Sequence, residues 1–464
     1  MSEAAIRSSA TTNALLASLD PLLRAWLPRQ RWFAGKGRPV DGFAVVAATE
    51  LLPPGRELGM VHLLVDAVSE RSSDCYQLLL GVRDALPPHL APALIGHVTE
   101  GPLAGRTVYD ALPDPALARV LFERLRSPGR LGVLRFRRDL GREVPGDLVP
   151  RPLGAEQSNS SLVYGDTFIL KLFRRVVPGV NPDLELPLAL ARQGCGHVPA
   201  PVAWFSAHPG PDADTPENTL VLGVLQPYLQ GAADGWELAL RELAKGQDFQ
   251  DEARALGRVT AQVHAALARA LPTVTLGRAQ LRALADSMTQ RLDATAVAVP
   301  ALRPYAPALN TAYEALAGLA DEGAARQAQR VHGDLHLGQC LRSPDGDWTL
   351  IDFEGEPVRP LAERRVPQPA VRDVAGMLRS FDYAAGSAGP AKPVPEWADH
   401  ARAAYCTGYA EVSGRDPRTD PVTLRAYETD KAVYEVLYEA RHRPDWLPVP
   451  LAAIDRLAGN GSTT

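Results

Sequence analysis

Val331-His332-Gly333-Asp334-Leu335-His336-Leu337-Gly338-Gln339, followed 18 positions after Asp334 by Asp352 in Thr349-Leu350-Ile351-Asp352-Phe353-Glu354, is the part of this chain that decides how the rest is read. Between the two segments Ser343-Pro344-Asp345-Gly346-Asp347 has turn chemistry, so residues 340–342 and 348–351 are expected to pair as a hairpin that puts Asp334 and Asp352 on adjacent loops. Phosphoryl transfer needs a carboxylate near the attacking hydroxyl and oxygen ligands for Mg²⁺, because the work is positioning and charge neutralisation. In the protein-kinase template the catalytic Asp precedes an Asn metal ligand by five residues, the spacing from Asp334 to Gln339 here. Asp334 is therefore expected to be the catalytic carboxylate, with Asp352 and the amide of Gln339 offering oxygens to the metal. A lone His-Gly-Asp would be no more than a loop with a capping Asp; the whole constellation outweighs that reading. Zinc on His332 and His336 is disfavoured, since Gly333 argues against a helix between them and no third ligand is suitably spaced.

The chain around this block is 464 residues long, 46% hydrophobic and 22% charged, which exceeds one ordinary core and predicts two or three packed units. A net charge of −5 without long single-sign runs argues against broad nucleic-acid binding. Four scattered cysteines suggest neither a zinc site nor a disulfide framework and fit a reducing cytoplasm. No signal-like start and no long apolar run is present, so neither export nor a membrane is expected.

Helical spacing of Leu15, Leu19, Leu22, Leu23 and Trp26 predicts a helix over 12–27, with Asp20-Pro21 resembling an internal start. Three β-rich runs over 43–46, 60–65 and 76–80 read as an antiparallel meander, and further strands are expected between 131 and 173 and over 220–225. A loop is expected over 209–217. Beyond Gln226 the pattern turns helical, over 249–271, 278–296, 308–319, 372–384, 398–412 and 421–443, with a Pro/Ala-rich loop at 386–395 and a frayed tail from Asn460.

Only five of the 49 basic residues are lysines, so a lysine inside an apolar strand is a choice. Lys171 is that residue, sharing a strand face with Ile169 and Phe173 in 168–173, where it would reach nucleotide phosphates or else guard a strand edge. Just upstream, Glu156-Gln157-Ser158-Asn159-Ser160-Ser161 is a small polar loop able to cover phosphates with backbone N–H groups, though it carries no Gly-rich pattern. After the strand, Asn181 reads as a helix cap with Pro182 at the first position; Glu185 would then pair with Lys171, or simply face the helix dipole, with Pro187 expected to disturb the helix. Gln226 ends an apolar run suited to a hinge beside adenine, and an ordinary strand end would look much the same.

Taken together these residues resemble the actinobacterial maltokinases, relatives of the aminoglycoside phosphotransferases in the protein-kinase-like superfamily. The resemblance spans nearly the whole chain: Gln30-Arg31-Trp32-Phe33-Ala34-Gly35-Lys36, Glu156-Gln157-Ser158-Asn159, Leu170-Lys171-Leu172-Phe173, the block from His332 to Asp352, Arg372-Asp373-Val374-Ala375-Gly376-Met377-Leu378-Arg379, and the C-terminal Lys431-Ala432-Val433-Tyr434 through Arg443-Pro444-Asp445-Trp446. It implies an α+β, bilobal protein-kinase-like fold, with a cap subdomain at 1–90, a β-rich lobe carrying ATP-binding elements at 91–225, and a mostly helical lobe at 226–464. It implies ATP and Mg²⁺ as cofactors, with Gln339 and Asp352 holding the metal and Glu354 assisting. Lys171, with Glu185, Gln157, Ser158, Asn159, Ser160 and Gln226, would serve the nucleotide, and His332 and Asp373 would support the catalytic loop. The acceptor would be met by His336, Lys431, Tyr434, Tyr438, Arg441 and Trp446. Spacing alone reads the helix bearing Lys431, Tyr434, Tyr438 and Arg441 equally well as an amphipathic packing helix. The activity implied is phosphorylation of maltose to maltose 1-phosphate, feeding α-glucan synthesis from trehalose, with a trehalose synthase as a partner. Glucosamine or aminoglycoside kinases share the catalytic block, and a nucleotide-binding pseudokinase is the alternative from another class.

Overall fold

The computed structural model describes residues 9–35, 40–55, 57–69, 72–154, 159–210, 215–356, 359–387 and 395–459. Lys36, Glu156, Gln157, Ser158, most of the loop expected at 386–395 and the tail from Asn460 lie outside the described residues. The chain divides into two compact units, residues 1–184 with 200–230 and residues 185–199 with 231–464.

The first unit is built on two antiparallel sheets. Its opening helix, Ser9–Trp26, runs straight through Pro21, so the helix start expected there is absent. Leu15, Leu19, Leu23 and Trp26 of this helix pack with Trp32, Phe33 and Tyr76 in one apolar cluster. Strands Gly42–Leu52, Gly59–Ser69 and Ser72–Arg83 form the expected meander. The sheet continues past residue 90, because Thr107–Asp110 pairs with Ser72–Arg83 and Leu94–His97 lies outside it.

The second sheet has seven strands, in the order Gly129–Leu131, Leu134–Arg138, Ala203–Ala207, Leu220–Pro227, Phe168–Leu172, Ser160–Tyr164, Pro150–Leu153. Its inner face shares a core with the first sheet and with the helix Pro115–Arg126, whose N-terminus is capped by Asp114 through the Ala116 N–H and whose Phe122 stacks on Tyr164 at 4.3 Å. A buried polar contact joins the sheets: the Gln77 amide donates to the carbonyls of Phe173 at 2.8 Å and Leu222 at 2.6 Å.

The second unit is largely helical, with Gln250–Ala270, Arg278–Ala298, Ala306–Asp321, Val371–Ser387, Pro395–Ser413 and Pro421–His442 close to where periodicity put them. Helices Gly235–Ala244 and Pro448–Leu457 were not anticipated. Their apolar faces meet in one core that also takes in Leu335, Leu337, Cys340, Trp348, Leu350 and Phe353, so the segments flanking Asp334 and Asp352 are packed into the helical body. No helix among the described residues is long and apolar enough to cross a membrane.

Candidate active site

The expected hairpin is present in the second unit: Cys340–Arg342 pairs with Trp348–Leu350 in antiparallel register, Cys340 opposite Leu350 and Arg342 opposite Trp348. Two glycines admit the loop ahead of it to the core. A Cβ on Gly235 would lie 2.6 Å from the Leu337 carbonyl, and one on Gly376 would lie 2.6 Å from that of Leu335. Both helices therefore approach the loop closely enough to fix its backbone.

The loop is held by its hydrogen bonds as much as by packing. Asp373, 1% exposed, accepts the N–H of His332 at 2.7 Å through Oδ2 and that of Gly333 at 2.8 Å through Oδ1, while His264 Nε2 stands 2.9 Å from Oδ2. Burial alone would raise this carboxyl, but His264, His332 and the Gly333 N–H outweigh it and hold it below the usual range. The His332 ring reaches the Ile351 carbonyl at 2.8 Å through Nε2 and faces the Asp334 N–H at 3.4 Å through Nδ1, so the proton sits on Nε2. One ring thus ties the two loops together. Leu337 N–H donates to Ser380 at 3.1 Å.

Gln339 and Asp352 are brought together as their spacing suggested, with the Gln339 amide N–H donating to Asp352 Oδ2 at 3.0 Å. Asp352 has φ 62°, a left-handed conformation that a non-glycine residue adopts at a cost of about 1–3 kcal/mol, and such strain concentrates at functional sites. The two side chains offer hard oxygen donors of the kind Mg²⁺ takes. Glu354 stands 4.0 Å from Arg364, which also donates to its backbone carbonyl at 3.0 Å.

Asp334 opens into a cavity of about 630 Å³ whose lining also includes His336, Lys431, Tyr434, Tyr438 and Trp446. His336, half-buried, accepts the Gly338 N–H at 3.1 Å through Nδ1; burial lowers its pKa, so the ring is neutral at pH 7. The helix Pro421–His442 supplies Lys431, Tyr434, Glu435, Tyr438 and Glu439 to the wall, and Trp446 stacks on Tyr383 at 6.2 Å with 7° between the rings. Arg441 does not line this cavity and is exposed; Arg443 takes the place expected for it, with its guanidinium 5.4 Å above the Tyr438 ring, 5.5 Å from the Trp446 ring and 2.6 Å from Glu439. The reason is angular. At about 100° per residue the cavity face centres on Lys431, Glu435 and Tyr438, and Arg441 has rotated to its edge, whereas Arg443 leaves the helix with φ −146° and ψ 68° and its side chain lines the cavity. Lys431 is not simply a sugar-facing donor either, since its ammonium lies 2.7 Å from Asp334 Oδ1 and 3.3 Å from Glu356 Oε1.

In the first unit Lys171 is the fourth residue of Phe168–Leu172 and meets Asp183 Oδ2 at 2.8 Å. Asn181 caps the following helix through the Asp183 N–H at 2.9 Å, and the helix Pro182–Arg192 forms in spite of Pro187. Glu185, expected to pair with Lys171, instead lies 2.5 Å from Arg330 and 3.7 Å from Arg365. Two helical residues apart is about 200° of rotation, so Asp183 and Glu185 cannot face the same partner. Asn159 precedes the strand Ser160–Tyr164; Ser160 Oγ accepts from Arg174 at 2.8 Å, and Gln226 sits opposite Ile169 across the sheet. Sequence reasoning missed Asp183, Glu356 and Arg443. Alternating carboxylates in Asp352-Phe353-Glu354-Gly355-Glu356 were the available signal for Glu356.

Comparison with known proteins gives the family of the chain. Residues 26–114 match the maltokinase N-terminal cap domain, and residues 147–415 match the phosphotransferase enzyme family. A glucosamine kinase of Mycolicibacterium smegmatis is 33% identical over 336 residues, 68% of this chain and 81% of that protein. One from Streptacidiphilus jiangxiensis is 32% identical over 326 residues, 65% of this chain and 71% of that protein. Among solved structures, a glucosamine kinase in complex with glucosamine, ADP and inorganic phosphate superposes with a TM-score of 0.66 at 26% identity, covering 94% of this chain and 98% of its own. A second crystal form of a glucosamine kinase gives 0.69 at 26% identity, covering 94% and 99%.

Proposed function

From a chain that belongs to the phosphotransferase enzyme family and carries a maltokinase N-terminal cap domain, we propose a kinase that transfers the γ-phosphoryl group of ATP to the anomeric hydroxyl of maltose. The observation that carries the acceptor reading is a cavity of about 630 Å³ running from Asp334 to Trp446, within the range of small-molecule sites and roomy enough for two pyranose rings. Tyr383, Tyr434, Tyr438 and Trp446 offer ring faces to sugar C–H surfaces, and Glu435, Glu439 and Arg443 offer hydrogen-bonding groups to hydroxyls.

In this reading Asp334 accepts the proton of the attacking hydroxyl and Lys171 anchors the nucleotide phosphates. Gln339 and Asp352, with Glu354 assisting, would hold Mg²⁺, which would supply charge neutralisation. Asp373 and His332 keep Asp334 in place. The product would be maltose 1-phosphate, an activated glycosyl donor, so a reaction that makes maltose from trehalose stands upstream and α-glucan extension downstream, in the cytoplasm.

A second reading, an amino sugar as acceptor, draws on the relatives' names and on the carboxylates Asp234, Glu237, Glu435 and Glu439 along the cavity. Two of these are already matched, Glu435 by Arg379 at 2.6 Å and Glu439 by Arg443 at 2.6 Å, which weakens the case for a bound ammonium. A reducing-end assay after incubation with ATP and Mg²⁺ tests the choice. Loss of the reducing end of maltose supports anomeric transfer, and phosphorylation of glucosamine with maltose untouched overturns it.

A further inference from the structure

Lys431 projects from the middle of Pro421–His442 and joins two carboxylates that the sequence separates widely, Asp334 Oδ1 at 2.7 Å and Glu356 Oε1 at 3.3 Å. All three side chains are sheltered, with 15%, 17% and 5% of their surface exposed for Lys431, Asp334 and Glu356. The second oxygen of Glu356 is occupied by Arg359 at 2.5 Å and Arg372 at 3.2 Å, and Arg372 also donates to the Gly333 carbonyl at 3.2 Å. Glu356 is therefore fixed from behind by two arginines and presents Oε1 to Lys431. The ammonium also lies 4.7 Å from the centre of the Tyr434 ring, which closes its remaining side. Asp334 Oδ2 accepts no hydrogen bond from the described residues. In a chain that uses arginine for all but five of its 49 cations, a lysine here supplies a compact point charge to two carboxylates at once.

We propose that Lys431 is a positioning residue for Asp334, itself fixed by Glu356, and that it holds Oδ1 so that Oδ2 is left for the acceptor hydroxyl. This rests on the kinase reading of the site and replaces the sugar-ligand role that the sequence suggested for Lys431. In the transfer the acceptor O–H bond breaks and its proton passes to Oδ2. A bond forms from the acceptor oxygen to the γ-phosphorus, and the bond from that phosphorus to the β,γ-bridging oxygen breaks with its electron pair leaving on ADP. Burial would lower the Lys431 pKa, but Asp334 and Glu356 outweigh it and raise it, so the ammonium stays charged throughout the working pH range.

The test is steady-state kinetics of Lys431→Met, Lys431→Arg and Glu356→Gln with maltose and with glucosamine. Lys431→Met should lower kcat about 100-fold while the sugar KM stays within about threefold, Glu356→Gln should lower kcat about tenfold, and Lys431→Arg should recover part of the loss. Placed in an Asp334→Asn background, Lys431→Met should cost no more than about twofold further, because the two residues act as one unit. A sugar KM raised about tenfold with kcat kept, or losses that multiply in the double variant, would overturn the proposal. Where circular dichroism shows Lys431→Met unfolded, Glu356→Gln combined with Asp334→Asn reads the same coupling. If neither sugar is phosphorylated, the acceptor reading falls, and the slow hydrolysis of ATP by water provides the same comparison for Lys431.

Discussion

Lys171 Nζ meets Asp183 Oδ2 at 2.8 Å, while Glu185, two residues further along the same helix, turns to Arg330 at 2.5 Å. The two carboxylates should therefore separate functionally. Asp183→Asn should raise the KM for ATP about tenfold, since Lys171 loses the partner that orients it. Glu185→Gln should leave that KM within about twofold and lower stability by about 1–3 kcal/mol, because the buried Arg330 loses its charged acceptor. Initial-rate kinetics and denaturant unfolding on both variants check this, and the reverse pattern would restore Glu185 as the partner of Lys171.

Asp373 takes two consecutive backbone N–H groups of the loop that bears Asp334, and charge-assisted bonds of this kind contribute about 1.5–3 kcal/mol each. Asp373→Asn keeps the shape but weakens both bonds and the contact with His264. The expected result is a 10- to 100-fold fall in kcat, roughly the size of other losses of orientation, with a lowered Tm. Unchanged kcat in a variant of lowered Tm would mean that Asp373 only stabilises the fold.

What the sequence made legible, and what it hid, follows from the range of each interaction. The hairpin at 340–350, the contact of Gln339 with Asp352 and the cap at Asn181 are set by neighbours within a few turns of chain, and local spacing found them. Helix boundaries in the second unit came through because long amphipathic faces repeat their signal. Lys431 with Asp334 spans 97 residues and Arg330 with Glu185 spans 145, and nothing local encodes such pairs. Resemblance named Arg441 on the C-terminal helix, but the end of that helix and the non-helical backbone at Arg443 put Arg443 beside the cavity instead.

His62 gives the first unit a dependence on acid. Gln77 uses its amide nitrogen on two carbonyls, so its oxygen accepts from His62 Nε2 at 3.0 Å, and Nδ1 is buried with no hydrogen-bond partner among the described residues. Burial pulls the pKa from 6.5 to about 4. As pH falls through 6.5 the unfolded chain takes up a proton that the folded chain refuses, so stability is present above 6.5 and is lost progressively down to pH 4, by up to about 3 kcal/mol. Thermal unfolding from pH 7 to pH 4 should show a steeper fall in Tm for the natural chain than for His62→Gln. Parallel curves would contradict this.

The aromatic end of the cavity should govern affinity for the acceptor and not the nucleotide. Trp446→Ala removes a ring stacked on Tyr383 and a face for Arg443, so the sugar KM should rise about tenfold, the loss of roughly 1–1.5 kcal/mol of aromatic contact. The KM for ATP should stay within about twofold in the same variant, measured by varying each substrate at saturating levels of the other. A shift in the ATP KM alone would remove Trp446 from the acceptor site.

The central claim is that Asp334 takes the proton of a sugar hydroxyl presented in the cavity beside it. The most direct test is ADP release with ATP and Mg²⁺ in the presence of maltose, glucosamine or no sugar, for the natural chain and for Asp334→Asn. The account predicts strong stimulation by maltose, weak or no stimulation by glucosamine, and a loss of at least about 1,000-fold in the stimulated rate on Asp334→Asn with ATP binding retained. Stimulation that survives Asp334→Asn, or its absence with every acceptor, would contradict it.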